Sequence, residues 1–270
     1  MNRNSIAGQL TTKWAARHLD YRLQTISTQE DAKALVLAGA PHGSLVVTDD
    51  QTGGRGRGSR TWSCPPGSNI AMSLILRPAL ALPQVPALTL VAGLAVSQGI
   101  ADLLPAEWQD QILIKWPNDV VIRKRKICGI LTETQLRPDG SVDACIVGIG
   151  INVRQTMFPE ELREIAGSIL SQTGIRVGRS ALIASFAGRM EEYYGVFAAA
   201  RSFAPLIDRY EKRLINRDAP IRVLDPAGEW EGTAQGVDES GALIVTAQDG
   251  TLHRIGAGEV SVRGLYQYTD

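Results

Sequence analysis

Cysteine and histidine are both scarce in this chain, which has three of each among 270 residues. Cys64, Cys128 and Cys145 lie far apart, no Cys-x-x-Cys motif occurs, and the histidines are equally dispersed. These absences argue against a disulfide framework, a zinc site and a histidine-based catalytic triad. Unpaired cysteines are typical of a reducing compartment, so we expect a cytoplasmic protein.

The chain also lacks an excess of charge, since 28 basic residues are balanced by 28 acidic ones. Proteins that bind nucleic acids usually carry surplus positive charge that neutralises phosphates, so we expect no specific binding to DNA. The N-terminal residues lack the apolar segment of a signal peptide. The most apolar stretch, residues 80–104, is interrupted by Pro83, Pro86, Gly93 and Asp102. That pattern predicts a buried helix and no membrane span.

Patterns of strand and helix are present over the first 217 residues. Alternating or β-branched apolar runs predict strands at residues 21–26, 44–48, 69–76, 112–122, 127–135 and 144–153. The strand at 112–122 is interrupted by the turn signal Pro117-Asn118-Asp119. Apolar residues at helical spacing predict helices at residues 32–37, 83–104, 159–170 and 180–214.

The C-terminal part of the chain shows strand patterns alone. Five short strands are predicted at residues 221–224, 230–237, 242–246, 251–255 and 259–263, with turn residues between them. So many short strands in so few residues predict a small closed or nearly closed barrel. We place the boundary between a large domain, residues 1–217, and a small one, residues 218–270.

A glycine- and arginine-rich stretch at residues 52–68 has no strand or helix period and predicts a loop. Its glycines free the backbone to wrap around a ligand. Arg55, Arg57 and Arg60 supply guanidinium groups for phosphate or carboxylate oxygens, and Trp62 can cover a ring or an alkyl chain. The segment is neither a P-loop nor a Rossmann glycine motif. A solvated basic loop is the alternative, but Trp62 and the following Pro-Pro-Gly favour an anion-binding loop.

Three further segments offer binding residues, although each has a simpler explanation. In the Lys-Trp-Pro-Asn-Asp of residues 115–119, a lysine at a strand end could meet a carboxylate or phosphate, but Pro-Asn-Asp also makes an ordinary turn. Glycines in the apolar strands at 126–131 and 148–153 mark either a ligand or close packing. Polar residues at element boundaries are either ligand contacts or capping and turn residues: Ser27, Thr28 and Gln51.

Taken together, the order and spacing of these segments resemble the catalytic domain of biotin–protein ligases, or biotin–[acetyl-CoA-carboxylase] ligases. The family's glycine/arginine loop with its Trp and Pro-Pro-Gly resembles residues 54–67, and its Lys-Trp-Pro-Asn-Asp segment is identical to residues 115–119. Its Lys-x-x-Gly-Ile-Leu and Gly-x-Gly-Ile-Asn strands match residues 126–131 and 148–152. The resemblance covers about residues 20–265.

The resemblance implies an α+β fold, in which a mixed sheet with flanking helices is related to class II aminoacyl-tRNA synthetases and a small SH3-like β-barrel follows. It implies an enzyme that uses biotin, ATP and Mg²⁺. The biotin carboxylate attacks the α-phosphate of MgATP, which gives biotinyl-5′-AMP and pyrophosphate. A lysine of a biotin carboxyl carrier protein then attacks the mixed anhydride and releases AMP. Such a reaction needs no nucleophile from the enzyme, only the placement and neutralisation of two anions.

The resemblance also implies roles for particular residues. Catalysis would rest on Lys115, which bridges the biotin carboxylate and the α-phosphate, together with Arg55 and Arg57. Biotin would be bound by Ser27, Thr28, Gln51, Gly54, Arg55, Arg57, Lys115, Gly129 and Leu131. ATP or the adenylate would be bound by Arg57, Arg60, Trp62, Asn118 and Asn152. No dedicated metal site is implied, and Asp119 is the candidate for a magnesium ligand.

Some alternatives remain open. Gly58-Ser59 departs from the family's loop pattern, although the arginines keep their positions. A lipoate-type acyl ligase would share the chemistry but differ in the loop and lysine segments. A non-catalytic biotin sensor would keep the pocket and lose Lys115 or the arginines. About 20 residues precede the first matching strand, so we expect a form without an N-terminal DNA-binding domain. The oligomeric state is open, with a homodimer as one option.

Overall fold

The computed structural model describes residues 1–58, 60–225, 228–256 and 261–264, the last four by their backbone alone. Its larger sheet has eight strands within this described part of the chain. They are β1 (Leu19–Thr25), β2 (Leu45–Arg55), β3 (Thr61–Cys64), β4 (Ile70–Leu76), β5 (Ile112–Lys115), β6 (Asp119–Ile122), β7 (Arg125–Leu136) and β8 (Val142–Ile151).

The strand order in this sheet is β1-β2-β4-β8-β7-β6-β5, and β3 pairs with β2 beside that path. β1 and β2 run parallel, whereas the other neighbouring strands pair antiparallel. The sheet is therefore mixed, which confirms the predicted fold class of the large domain.

Helices cover both faces of the sheet. On one face, α2 packs Ala32 and Val36 against Val46, Ile75 and Ala144 of the strands. On the other face lies α3, with α5 packed over it. Burial on both sides explains why the central strand β4 is apolar along nearly its whole length. The helices are α1 (Arg3–Ala7), α2 (Thr28–Leu37), α3 (Ala87–Ala101), α4 (Ile169–Thr173), α5 (Arg179–Ala200) and α6 (Ile207–Glu211).

Helix α3 forms the centre of the hydrophobic core. With the turn before it, the segment Leu82–Ala101 is long and apolar enough to cross a membrane, but 78% of its most apolar window is buried inside the fold. Gly99 lets α5 approach closely, because a Cβ there would lie 3.1 Å from the backbone nitrogen of Phe186. Helix α3 is therefore buried as a core helix is, in agreement with the prediction from the prolines, glycine and aspartate that interrupt this apolar stretch.

The second sheet is antiparallel and lies at the C-terminal end of the chain. Its strands are β9 (Ala219–Asp225), β10 (Gly228–Val237), β11 (Leu243–Ala247), β12 (Leu252–Ile255) and β13 (Ser261–Gly264), in the order β12-β11-β10-β9-β13. These strands confirm the small β-domain predicted for this part of the chain, and within the described residues its sheet is not closed, since β12 and β13 each pair with one neighbour. Residues 259–260 of the last predicted strand lie outside the described residues. The domain boundary after residue 217 stays a prediction.

The predicted loop at residues 52–68 is wrong in part, since much of it belongs to a β-hairpin. β2 continues to Arg55, and β3 pairs back onto it with Gln51 opposite Cys64 and Arg55 opposite Thr61. The strand pattern is hidden in the sequence because two of the β2 positions are glycines, which carry no side chain to alternate. The hairpin tip spans residues 56–60, of which Ser59 lies outside the described residues.

Two predicted helices are also wrong in extent. Most of residues 159–170 is not α-helical, because the backbone there turns to hydrogen-bond with β7, the amide of Lys126 donating to the carbonyl of Ile165 at 2.7 Å. The helix predicted at 180–214 ends at residue 200, where Arg201 adopts the left-handed conformation with φ 51°. A left-handed residue stops the helical hydrogen-bond ladder, so α6 starts as a separate helix.

Candidate active site

One cavity gathers almost all of the residues that the sequence predicts for a binding site. It has a volume of about 300 Å³ and is walled by the β2–β3 hairpin, the β5–β6 turn, the start of α2 and strands β7 and β8. The predicted residues that line it are Ser27, Thr28, Gln51, Arg55, Arg57, Arg60, Trp62, Lys115, Asn118, Asp119, Gly129, Leu131 and Asn152.

Gly54 is the exception, because it is not part of the cavity lining. A Cβ at this position would overlap the backbone carbonyl of Trp62 and the side-chain amide of Gln51. Gly54 therefore allows the two strands of the hairpin and the Gln51 side chain to pack closely. Its predicted contact with biotin stays a prediction.

The closed end of the cavity is a network of buried polar groups. The backbone N–H and the hydroxyl of Thr28 both donate to Oε1 of Gln51, at 2.9 and 3.2 Å. The Ser73 hydroxyl lies 2.9 Å from Oγ1 of Thr28 and 2.9 Å from Oε1 of Gln29. Nε2 of Gln29 donates to the carbonyl of Ile146 at 3.1 Å. These contacts fix the polar groups that a ligand would meet at this end.

Gln29 and Ser73 were missed by the sequence analysis. The signal that could have found Gln29 is Gly148, where a Cβ would lie 2.5 Å from the side-chain Oε1 of Gln29. A glycine within an apolar strand indicates close approach of another group. Ser27 occupies the N-cap position of α2, but its hydroxyl makes no capping hydrogen bond. The capping alternative for the Ser27 side chain is therefore not realised.

The middle of the cavity has a floor made by two glycines. The indole of Trp62 lies against β7 and β8, where a Cβ on Gly150 would overlap the indole and one on Gly129 would lie 3.1 Å from it. Nζ of Lys126 lies 5.8 Å from the centre of the indole ring. Glycines at both positions are thus required for Trp62 to reach the sheet.

One side of the cavity is cationic. Nη1 of Arg57 donates to Oδ1 of Asn118 at 3.4 Å, and Nδ2 of Asn118 donates to the carbonyl of Ile130 at 3.0 Å. Burial lowers the pKa of Arg57, with Asp119 opposing that effect and the charge of Arg60 adding to it. Arginine remains protonated, so the shift means that its charge is poorly solvated. An anion in the cavity would relieve that penalty.

The three arginines of the hairpin do not form one fork. Arg55 pairs with the carboxylate of Glu30 on α2, which also accepts from Nζ of Lys33 at 3.0 Å. Arg57 points to the opposite side, toward Asn118, while Arg60 is exposed at the end of the hairpin tip. These three arginines are thus divided between two sides of the cavity, because Arg55 belongs to β2 whereas Arg57 and Arg60 lie in the hairpin tip, where the strand alternation does not continue.

Lys115 and Asp119 face each other across the β5–β6 turn, in register as the last pair of the two strands. Lys115 is 5% exposed and Asp119 is 6% exposed. Oδ1 of Asp119 lies 2.6 Å from Nζ of Lys126, whose place in the Lys-x-x-Gly-Ile-Leu motif did not by itself predict a role. Asp119 is thus the strand partner of Lys115 and the ion-pair partner of Lys126.

The opposite end of the cavity is built around Asn152. Its Nδ2 donates to the carbonyl of Gly167 at 3.0 Å, and its Oδ1 lies 3.3 Å from Nδ2 of Asn69. Nδ2 of Asn69 also donates to Oε1 of Gln155 at 2.7 Å. Apolar residues that the sequence did not predict complete this end: Phe158, Pro159, Leu162 and Ile165.

Two family models match the chain. The model of the Biotin/lipoate A/B protein ligase family matches residues 22–152, and the model of the Biotin protein ligase C terminal domain matches residues 219–263. The first match contains every strand of the larger sheet except the start of β1, and the second covers the smaller sheet except for its last residue. The fold and cavity therefore define an acyl–protein ligase with an appended C-terminal domain.

Individual relatives and solved structures specify the family more closely. The chain is 39% identical to the bifunctional ligase/repressor BirA of Bacillus spizizenii, over 93% of this chain and 76% of that one. It is 31% identical to the biotin–[acetyl-CoA-carboxylase] ligase of Mycobacterium tuberculosis, over 90% and 88% of the two chains. The biotin protein ligase of Aquifex aeolicus, solved in complex with biotin and ATP, superposes with a TM-score of 0.77 at 30% identity, over 92% and 99%. The chain belongs to the biotin protein ligase family.

Proposed function

We propose that this protein converts biotin and ATP to biotinyl-5′-AMP and transfers the biotinyl group to a lysine of a biotin carboxyl carrier protein. The observation that supports this most is the single cavity that joins a closed polar end to a buried cationic side. The polar end, with Thr28 and Gln51, suits the ureido ring of biotin. Lys115 and Arg57 suit the two anions that must react, and Asn152 marks the end at which the adenosine would lie.

The proposed chemistry is charge neutralisation. The biotin carboxylate oxygen forms a bond to the α-phosphorus while the bond to pyrophosphate breaks, and Lys115 compensates the negative charge shared between them. Arg57, held by Asn118, assists from the same side. The carrier amine then replaces AMP at the acyl carbon. No protein nucleophile is needed, and burial raises the pKa of the Cys64 and Cys145 thiols to about 12, which keeps them protonated.

Magnesium enters this proposal with ATP, as part of the substrate. The described residues contain no group of three His, Cys, Asp or Glu side chains that could hold a metal ion. No dedicated metal site is predicted, and Asp119, the candidate for a magnesium ligand, has its Oδ1 in an ion pair with Lys126. We therefore assign no step to a protein-bound metal.

The test is incubation of the protein with labelled biotin, MgATP and a biotin carboxyl carrier domain. We expect pyrophosphate release, followed by label on the carrier that survives denaturation. Lipoate in place of biotin is the control for the related acyl ligases, and a faster reaction with lipoate would favour that alternative. Biotin binding without pyrophosphate release would favour a non-catalytic sensor, which the presence of both Lys115 and Arg57 argues against.

Further expectations concern partners and location. Because positive and negative charges balance, we expect no sequence-selective binding to DNA at physiological ionic strength, which a mobility-shift assay over a salt series would test. We propose the cytoplasm as the location, where biotin and ATP meet a carrier. Sedimentation with and without biotin and ATP would decide between a monomer and the homodimer that the sequence leaves open.

A further inference from the structure

The strand that carries Lys115 is held on its outer edge by the segment that leads into the C-terminal sheet. β5 is the last strand of the larger sheet, so one of its edges is not paired with another strand of that sheet. The N–H of Ile114 donates to the carbonyl of Arg213 at 2.7 Å, and the N–H of Ile215 donates back to the carbonyl of Ile114 at 2.9 Å. Residues 213–215 thus run beside β5 as a short parallel bridge.

Trp116, directly after Lys115, extends this attachment by two hydrogen bonds. Its backbone N–H donates to Oδ1 of Asn216 at 3.0 Å, and its indole N–H donates to the carbonyl of Gly241 at 3.1 Å. Trp116 is fully buried and Asn216 is 3% exposed. Buried hydrogen bonds of this kind are costly to leave unmade, so they restrict where Trp116 can lie.

Gly241 lies in the turn between β10 and β11, and this turn is itself rigid. Oδ1 of Asp238 accepts from the N–H of Ser240 at 2.8 Å and of Ala242 at 3.1 Å. Gly241 has φ 83°, a left-handed conformation that favours glycine. A Cβ on Gly241 would lie 3.0 Å from the Leu90 side chain, so the turn is seated against α3.

We infer that Trp116 is a positioning residue through which the C-terminal sheet sets the location of the Lys115 ammonium. The peptide unit that joins the two residues transmits any shift of Trp116 to Lys115, and the indole N–H fixes Trp116 to the Gly241 carbonyl. If Trp116 served only to fill the hydrophobic core, burial of its side chain would be sufficient and its N–H groups would need no particular partners. Here both of its N–H groups bond to the linker or to the C-terminal sheet. The inference rests on the proposed function, since it concerns the adenylation step assigned to Lys115.

The experiment uses Trp116→Phe, which keeps a buried aromatic ring and removes the indole N–H. Pyrophosphate release from biotin and MgATP should slow by about 10-fold to 100-fold, the range expected for a slightly misplaced reacting group. The KM values of biotin and ATP should change little. Transfer to the carrier from supplied biotinyl-5′-AMP should proceed at the wild-type rate, because that step bypasses adenylation. Trp108→Phe is the matched control, since Trp108 stacks on Arg123 beside the same strands.

Combining Trp116→Phe with Lys115→Gln separates positioning from a general structural defect. If Trp116 acts through Lys115, the double variant is no slower in adenylation than Lys115→Gln alone. Losses that multiply, or equal slowing of both half-reactions, would overturn the inference. If Trp116→Phe does not fold, Asp238→Ala in the partly exposed turn replaces it, with the same expected pattern. A wild-type protein that releases no pyrophosphate would instead contradict the proposed function itself.

Discussion

The carboxylate of Asp119 lies 2.6 Å from the ammonium of Lys126, at the wall of the cavity that also carries Lys115. The Asp119 side chain is 8% exposed and the Lys126 side chain 22%. An ion pair of this kind does two things in a cavity for anions. It offsets the burial of the carboxylate, and it prevents that carboxylate from repelling the substrates.

We therefore expect Lys126→Met to lower the free energy of unfolding by roughly 2 kcal/mol, the usual loss for a hydrogen bond to a charged group. The KM of ATP should rise, because Asp119 is left with less compensation. Adding Asp119→Asn should restore most of the stability. Urea denaturation measures the first effect, with Lys33→Met as the control for a more exposed ion pair, expected to cost less than about 1 kcal/mol. Wild-type stability of Lys126→Met would contradict the prediction.

Lys115→Gln should slow pyrophosphate release by about 10²–10³-fold. A lysine charge about 4 Å from a developing negative charge stabilises it by roughly 4 kcal/mol at an effective dielectric near 20. In the variant, water and Arg57 would replace part of that stabilisation. Lys115→Arg should also be slow, since a planar guanidinium does not fit where a 5% exposed ammonium fits. Single-turnover pyrophosphate release is the measurement. Release at the wild-type rate by Lys115→Gln would remove Lys115 from the mechanism.

Gly150→Ala should weaken the binding of biotinyl-5′-AMP by roughly tenfold or more, since each ~1.4 kcal/mol of lost contact costs a factor of ten. The new methyl group would overlap the indole of Trp62 and push it off the sheet. Gly188→Ala in α5 is the matched control, because its methyl group would meet no atom within 4 Å. The control should gain up to about 1 kcal/mol of stability from helix propensity. Titration calorimetry with biotinyl-5′-AMP measures binding, and an unchanged dissociation constant for Gly150→Ala would contradict the adenylate contact that we predict for Trp62.

His42 should make stability depend on pH. Its Nδ1 accepts from the N–H of Arg77 at 3.0 Å, and its ring packs against Trp14 and Tyr194. Burial lowers the pKa of His42 below the 6.5 of a free histidine. The unfolded chain then binds a proton here more readily than the folded one. The stabilisation is therefore complete above about pH 6.5 and is lost as the pH falls through the folded pKa.

The measurement is the free energy of unfolding at several pH values between 7.5 and 5, for the wild type and for His42→Asn. Asparagine retains an acceptor near the position of Nδ1 but does not titrate. The variant should be less stable at neutral pH and should show a flatter profile in acid. Parallel profiles for the two proteins would show that His42 does not contribute to the pH dependence.

Local patterns were sufficient for most of the strands and for the site motifs. Lys115 and Asp119 could be placed at the two ends of a turn because Pro-Asn-Asp interrupts an apolar run, and the structure pairs them there. A strand is recognised in a sequence from side chains that alternate between apolar and polar. The strand that leads to Arg55 lacks that alternation because it contains two glycines. The helix predicted at 159–170 failed for another reason, since hydrogen bonds to Lys126 of a distant strand outweigh local helical spacing.

The sequence by itself determined the motifs, their order, and the chemistry that their charges and glycines permit. Tertiary structure alone decided how those groups are shared out: Arg55 pairs with Glu30, Arg57 with Asn118, and Asp119 with Lys126. It also decided that Trp116 bonds to Gly241, a residue 125 positions away. Which groups pair depends on their distance and burial in the folded chain. Neither quantity can be derived from a short stretch of sequence.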